Sequence, residues 1–251
     1  MEAYEASTYG DRIADVYDTL HPSELLGTEA TVGFLAEHAG AGPVLELAIG
    51  TGRLALPLVE RGVEVHGVDA SEKMVVKLRE KNGGADIPVT FGDFKDVPVG
   101  GRFTLIYLAF NTLYALTSQE DQVACFRNVA SHLTSDGVFV LDGFVPDTAR
   151  FDRNQRANVN EVEADRVFMD VSRHDSATQT IASQHLVFRN GGVEMYPVFI
   201  RYIWPSEMDL MAQLAGLELK ERFAGYSREP FTSASGAHVS VYGPPAPSAT
   251  G

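Results

Sequence analysis

The sequence predicts an α/β fold, a mostly parallel sheet wrapped by helices, with an antiparallel β insert near its C-terminal end. Three observations carry that prediction. From residue 43 to about 145, short apolar runs alternate with amphipathic segments, the pattern of strands and helices taken in turn. Beyond 145 the texture changes to runs rich in β-branched and aromatic residues, which suit antiparallel strands. The 251 residues, 45% hydrophobic and 22% charged, suffice for one packed core but hardly for two.

In chain order, Glu24 to His38 reads as a helix opened by Pro22-Ser23 and stopped by Gly40. The strand candidates are Val44 to Leu47, Val63 to Val68, Ile87 to Phe91, Phe103 to Ala109 and Gly137 to Phe144. Between them lie helix candidates Leu54 to Arg61, Ser71 to Asn82 and Gln119 to Leu133. Ser71 suits an N-cap, because its hydroxyl can accept a free N–H of the first turn, and Met74, Val75 and Leu78 give that helix an apolar face. The insert comprises Arg166 to Ser172, Thr178 to Arg189 and Val193 to Trp204. Asn190-Gly191-Gly192, which adopts positive φ angles at little cost, joins the last two as a β-hairpin. Pro205-Ser206-Glu207 opens a helix to about Ala215 with Gly216 as its stop, and Leu217 to Phe223 and His238 to Tyr242 complete the sheet. The domain division expected is 1–145 for an N-terminal helix and the ligand-binding core, 146–204 for the insert and 205–243 for the last helix and strands. Residues 244–251, rich in Pro, Ala, Ser and Gly, form a disordered tail.

Composition excludes several function classes. With 34 acidic and 20 basic side chains the formal net charge is -14, and no basic run or stripe can neutralise several phosphates together, so nucleic acid is excluded as a partner. Cys125 is the only cysteine, which rules out an intrachain disulfide and a Cys-rich metal cluster, and no metal is expected. Its neighbours Val123, Ala124 and Phe126 make it a buried helix thiol rather than a nucleophile. Met1 to Ala6 lack a basic and then apolar leader, and no stretch reaches the roughly 20 apolar residues that span a bilayer, so a cytoplasmic protein with no membrane partner is expected.

In an open α/β sheet, ligands sit beyond the carboxyl ends of the strands, where the first loop turns into the first helix. That loop falls in Val44-Leu-Glu-Leu-Ala-Ile-Gly-Thr-Gly-Arg-Leu54. Gly50 and Gly52 permit a tight turn and a close approach to a ligand, and the following helix offers free N–H groups to an anion. The spacing Gly50-x-Gly52-x-x-Ala55 also satisfies a relaxed dinucleotide fingerprint, so the glycines do not discriminate. Glu46 does, because a carboxylate at the strand end repels a pyrophosphate and attracts an ammonium; the small residues Ala48, Gly50 and Gly52 behind it point the same way. Asp69 closes the second strand, where a carboxylate can accept from both ribose hydroxyls. After the third strand, in Gly92-Asp93-Phe94, Asp93 can accept from an adenine amino group while the ring packs among Ala70, Met74 and Phe94. Singly these residues also read as capping, turn and core positions; in register they point to an adenosine carrying an ammonium.

The segments Glu46-Leu-Ala-Ile-Gly-Thr-Gly-Arg53, Val68-Asp-Ala-Ser71, Gly92-Asp-Phe94 and Leu133-Thr-Ser-Asp-Gly-Val-Phe-Val-Leu141 resemble the successive motifs of class I S-adenosylmethionine-dependent methyltransferases, over about residues 9 to 144. The resemblance implies a Rossmann-like seven-stranded sheet and S-adenosyl-L-methionine as cofactor. By it, Glu46, Ala48, Gly50 and Gly52 line the methionine portion, Asp69 holds the ribose, and Asp93 with Phe94 holds the adenine. Arg53 matches a variant of the family, its guanidinium set on the methionine carboxylate or solvated at the helix start. Tyr9-Gly-Asp-Arg-Ile-Ala-Asp-Val-Tyr17-Asp18 resembles the lid helix of small-molecule methyltransferases, including aminosugar N-methyltransferases, in which tyrosines at both positions face the cofactor. On one helix Tyr9, Ile13, Val16 and Tyr17 share a face, which also suits plain packing.

A sulfonium methyl is already electrophilic, so direct in-line transfer needs alignment above all, and a base only where the nucleophile holds a proton. The fourth strand ends Tyr107-Leu108-Ala109-Phe110-Asn111-Thr112-Leu113-Tyr114, where the family sets residues between cofactor and acceptor; the resemblance gives Leu108 to the cofactor and Asn111 and Tyr114 to the acceptor. The segment lacks the Asn-Pro-Pro-Tyr of exocyclic-amine methylases and departs from the aminosugar pattern at Ala115. In the insert, His185 is the general-base candidate, histidine being the side chain that exchanges a proton near neutral pH, or else a surface residue. Arg201 and Trp204 suit a planar or anionic acceptor, or anchor the strand end. The insert caps the site or serves as the surface of a homodimer. The function expected is methyl transfer to N or O of a small metabolite of the natural-product kind. C-methylation and a catalytically silent S-adenosylmethionine-binding regulator are the alternatives, and Ala55 keeps a nicotinamide-dependent oxidoreductase open.

Overall fold

A computed structural model describes residues 4–22, 27–96 and 99–246. The chain runs α1 (Thr8–Ile13), α2 (Tyr17–Leu20), α3 (Thr28–His38), β1 (Val44–Leu47), α4 (Ala55–Glu60), β2 (Val65–Asp69), α5 (Glu72–Arg79), β3 (Val89–Phe91), β4 (Phe103–Leu108), α6 (Gln119–His132) and β5 (Leu133–Phe144). Four strands of a second sheet follow: β6 (Gln155–Val162), β7 (Arg166–Asp175), β8 (Thr180–Arg189) and β9 (Gly192–Arg201). Then α7 (Pro205–Leu214), β10 (Glu218–Phe223) and β11 (Ala237–Gly243) return to the first.

The main sheet has seven strands in the order β10-β11-β5-β4-β1-β2-β3, and only β11 runs antiparallel to β5 and to β10. Strand β1 pairs β2 on one side and β4 on the other, so the winding reverses there and opens a crevice at the carboxyl ends. All four β1 residues are buried, as a central strand covered on both faces requires. Leu45 and Leu47 pack on one face with Phe126, Phe139 and Met208; Val44 packs on the other with Leu58, Leu105 and Val140. Glu46 alternates onto the Val44 side. Among the described residues no helix is long and apolar enough to cross a membrane.

Several boundaries differ from the sequence reading. The helix expected from Glu24 begins at Thr28, behind Gly27 at a φ of +61°; residues 23–26, where the Ser23 opening was placed, lie outside the described residues, as does the tail beyond 246. Strand β5 starts at Leu133, inside the expected helix end. The insert has a fourth strand, β6, whose Gln-Arg-Ala-Asn-Val-Asn-Glu-Val carries too little apolar content to read as one. The Asn190-Gly191 turn joins β8 to β9 with Arg189 facing Gly192, and positive φ falls only at Gly192. The lid, expected as one helix, is broken between Ile13 and Tyr17. That turn lets Ile13 bury against Val187 and Tyr196 of the insert while Asp18 pairs with Lys81, 2.7 Å away, and accepts from Thr51 Oγ1 at 2.7 Å.

Candidate functional site

The loop after β1 is held in one shape by Asp69. Its Oδ2 accepts the Gly50 N–H at 2.7 Å and its Oδ1 accepts the Ser71 N–H at 2.8 Å, tying the first loop to the end of β2. Gly50 and Gly52 take φ of +56° and +79°, and a Cβ on Gly52 would lie 2.3 Å from the buried Leu78 Cδ1. Ala48 also has positive φ, +58°, a strained setting for a residue with a side chain. Glu46, 6% exposed, accepts the Tyr107 hydroxyl at 2.7 Å. Burial, with the Asp69 charge adding, pushes its carboxyl up to about 8 against the Tyr107 hydrogen bond and the Arg53 guanidinium. A buried carboxyl in that condition fits an ammonium, which would complete its pairing. Asp69 is raised by burial while three backbone N–H groups oppose the shift. Met74 Cε comes within 3.3 Å of where a Gly50 Cβ would stand; Phe94 and Leu108 are buried, and Ala70 is half-buried. Asp93 Oδ1 accepts the Lys95 N–H at 3.0 Å, the turn role its sequence position also allowed. Glu46, Asp69 and Leu108 stand toward the carboxyl ends of β1, β2 and β4, and Asp93 and Phe94 follow β3.

The N-terminal segment packs beside the loop after β1. Ser71 Oγ, which caps α5 by accepting the Met74 N–H, donates to Asp11 Oδ1 at 2.6 Å. His21, which the sequence analysis did not single out, is the junction: its Nε2 is 3.2 Å from the Tyr9 hydroxyl, and its ring packs edge-on against Tyr17 at 4.9 Å and Phe110 at 5.2 Å. Burial pushes His21 down to about 4, with the charges of His185 and Arg53 adding, so its ring is neutral. Arg53 lies 5.7 Å from the centre of the Phe110 ring and donates to Thr28 Oγ1 at 3.1 Å. Phe110 and Asn111 take φ of +65° and +59° in succession. Asp142 holds that strained tip of β4, its two carboxylate oxygens accepting the Phe110 and Asn111 N–H groups at 3.0 and 2.7 Å, while Tyr226 donates to Oδ2 at 2.9 Å.

The insert has a cavity of its own. A cavity of about 230 Å³ on its inner face is lined by Asp170, Ser172, Ser183 and His185, among others. Asp170 and His185 face each other across β7 and β8, and the His185 Nδ1 is hydrogen-bonded to Asp170 Oδ1. Asp170 also accepts from Asn160 Nδ2 at 2.7 Å, and hydrogen bonding outweighs burial to hold its carboxyl below the ordinary range. His185 Nε2 has no partner among the described residues. Neither Asp170 nor its pairing was legible beforehand, because the contact depends on the register of two strands.

The other residues read from the sequence take these places. Tyr114 is fully buried and donates its hydroxyl to the carbonyls of Phe144 and Ile203 at 2.9 and 3.3 Å, so it anchors the core rather than an acceptor. Asn111 spends its side-chain oxygen on the Phe144 N–H at 2.7 Å, shaping the loop. Arg201 pairs with Thr180 in register and therefore lies on the opposite face of the sheet from His185; it is buried against Gln122, Gln179 and Glu207, the last at 2.7 Å. Trp204 precedes α7 with 42% of its surface exposed and makes no aromatic pair among the described residues. Cys125 is buried, and burial pushes its thiol up. Among the described residues no group of three or more His, Cys, Asp or Glu is placed to hold a metal ion.

Comparison with known proteins gives this geometry relatives. Residues 44–137 match the family model described as a methyltransferase domain. The chain is 30% identical over 238 residues to a cypemycin N-terminal methyltransferase of a Streptomyces species, covering 92% of this chain and 95% of the relative. It superposes on the CcbJ methyltransferase of Streptomyces caelestis with a TM-score of 0.91 at 40% identity, over 97% of this chain and all of the other. An amino pentose methyltransferase from Micromonospora echinaspora, solved with S-adenosylmethionine bound, shares the fold at a TM-score of 0.68 and 19% identity, over 90% of this chain and 96% of that one.

Proposed function

The chain belongs to the S-adenosylmethionine-dependent methyltransferases, and from that premise we propose that it methylates a nitrogen of a small natural-product acceptor held between lid and insert, with His185 removing the proton. The observation that carries this reading is the hydrogen-bonded His185–Asp170 pair, which lines the cavity of the insert. Nitrogen is favoured over oxygen because the cypemycin enzyme and its like act on an amine, as their names state. The insert is read as a cap over the acceptor rather than a dimer surface because its cavity face bears the titratable pair.

In this reading Glu46 takes the cofactor's ammonium, Arg53 its carboxylate, Asp69 the ribose hydroxyls and Asp93 with Phe94 the adenine. Ala48, Gly50, Gly52, Ala70, Met74 and Leu108 line the space between. When bound, S-adenosylmethionine supplies a sulfonium methyl whose carbon is open to attack by a lone pair. An amine reaches neutral solution as an ammonium without a free pair, so the protein must take a proton first. His185 Nε2 accepts it, while Asp170 fixes the tautomer through Nδ1 and stabilises the imidazolium that forms. Tyr9, Tyr17 and neutral His21 exclude water and add no charge that would repel the incoming ammonium.

The test is incubation of the purified chain with S-adenosylmethionine and a panel of amines and alcohols, followed by mass spectrometry for a single methyl gained. N-methyl products are expected. His185→Gln and Asp170→Asn should lower turnover at neutral pH by about 10²- to 10⁴-fold, with partial recovery at higher pH where the amine loses its proton to solvent. Products carrying the methyl only on oxygen, or variants of full activity, would overturn the reading.

A further inference from the structure

The cavity of the insert carries more positive charge than proton removal requires. Arg150 and Arg156 both line it, in a chain whose formal net charge is -14. The ion pairs described within the insert and at its edge are Arg166–Glu161, His185–Asp170 and Arg201–Glu207, and neither Arg150 nor Arg156 enters one. Arg156 Nη2 donates to Asn158 Oδ1 at 3.0 Å, which leaves most of its N–H donors uncommitted. The Arg150 guanidinium lies 5.7 Å from the centre of the Phe144 ring and 5.2 Å from that of Phe151, and Phe151 is itself stacked on His174 at 4.7 Å. Two aromatic faces therefore hold a cation in place without neutralising it. The one carboxylate lining the cavity, Asp170, has both oxygens engaged, by His185 and by Asn160. Burial lowers the Arg150 pKa and the neighbouring Arg156 lowers it further, against the opposing charges of Asp147 and Asp170.

We propose that Arg150 and Arg156 form an anion subsite, so that the methyl acceptor carries a carboxylate or phosphate seated on the two guanidiniums and turns its amine toward His185. The proposal rests on the N-methyltransferase reading above. Guanidinium forks match the oxygens of either group, and each N–H···O bond formed there is charge-assisted. An acceptor of the same size without an anionic group would leave the two guanidiniums with no counter-charge in the cavity beyond Asp170, which His185 and Asn160 already engage, so the same residues disfavour acceptors that lack the anion.

The experiment is calorimetric titration of the full chain at low salt, first with S-adenosylhomocysteine and then, on the loaded protein, with inorganic pyrophosphate and with acetate. Wild type, Arg150→Gln/Arg156→Gln and Arg150→Lys/Arg156→Lys are compared. An anion should bind wild type at least about tenfold more tightly than the double glutamine variant, with the double lysine variant between them. Tighter binding of pyrophosphate would identify a phosphate-bearing acceptor, and acetate binding at least as tight a carboxylate-bearing one. S-adenosylhomocysteine affinity should be equal in all three proteins, which also verifies the fold of the variants. Equal anion affinity in wild type and the double glutamine variant, or no anion binding at all, overturns the subsite. Failure of wild type to bind S-adenosylhomocysteine overturns the cofactor site instead.

Discussion

Glu46 sits between two demands, burial in a central strand and a charge for the cofactor to meet. With its carboxyl pushed up to about 8, it holds a proton at neutral pH until a cation faces it. Binding a ligand ammonium should then release close to one proton per site at pH 7, and affinity for S-adenosylhomocysteine should rise as pH climbs from 6 toward 8. Calorimetry in buffers of different ionisation enthalpy measures that proton directly. Glu46→Gln should abolish the release and weaken binding by about tenfold or more, the loss expected of a buried charge-assisted contact. Proton release undiminished in the variant would place the titration elsewhere. The sequence marks Glu46 by its place before a glycine loop, and Asp69 and Asp93 by their places at the ends of the second and third strands. His21, Asp142 and Asp170 are not so marked, because each acts through a partner 12 to 32 positions away in sequence, His21 through Tyr9, Asp170 through His185 and Asp142 through Phe110.

At the scale of elements, every strand of the main sheet lies within a few residues of its expected place; burial on both faces accounts for the continuous apolar runs of β1 and β4, whereas most of β10 is exposed. The insert was read one strand short, because β6 is an edge strand whose residues are largely exposed and polar. The lid was read as one helix because periodicity reports a face and says nothing of a turn that divides it. Beside the Ile13 contact with the insert, polar links fasten the lid: Asp11 to Ser71, Asp15 to Lys77, and Asp18 to both Thr51 and Lys81. Hydrogen bonds of this type contribute about 1 kcal/mol each, or roughly fivefold in an equilibrium. Asp11→Asn and Asp18→Asn combined should therefore speed S-adenosylhomocysteine dissociation by about ten- to thirtyfold in stopped-flow displacement, with little change in association. Unchanged dissociation would mean that α1 and α2 do not gate the crevice.

For the molecule as a whole, opposing titrations set the pH of greatest stability. His238, fully buried in β11, is pushed down by burial from its ordinary 6.5 to about 4, and His21 likewise to about 4. Below pH 6.5 the unfolded chain takes up protons that the folded chain refuses, so stability falls as pH drops toward 4, by up to about 1.4 kcal/mol per pH unit from His238. Glu46 acts in the opposite sense. Its folded value of about 8 lies above its ordinary 4.5, so the stability it contributes is full below 4.5 and is lost as pH rises through 8. Between 4.5 and 6.5 the two histidines oppose Glu46, on whose side Asp69 and Asp142 are also raised by burial; above 6.5 the carboxyls act without the histidines. Urea unfolding of the cofactor-free protein should accordingly show a maximum near pH 6.5, at about the histidines' ordinary value. Glu46→Gln should flatten the alkaline side of that curve and leave the acid side intact. His238→Asn, which keeps a donor within reach of the Ser240 hydroxyl that now meets Nδ1 at 2.9 Å, should shallow the acid side alone. Saturating S-adenosylhomocysteine should move the maximum upward, because the ammonium that meets Glu46 removes the alkaline loss at its source. A maximum that stays in place on saturation would detach Glu46 from the cofactor, whatever the two variants do to the slopes.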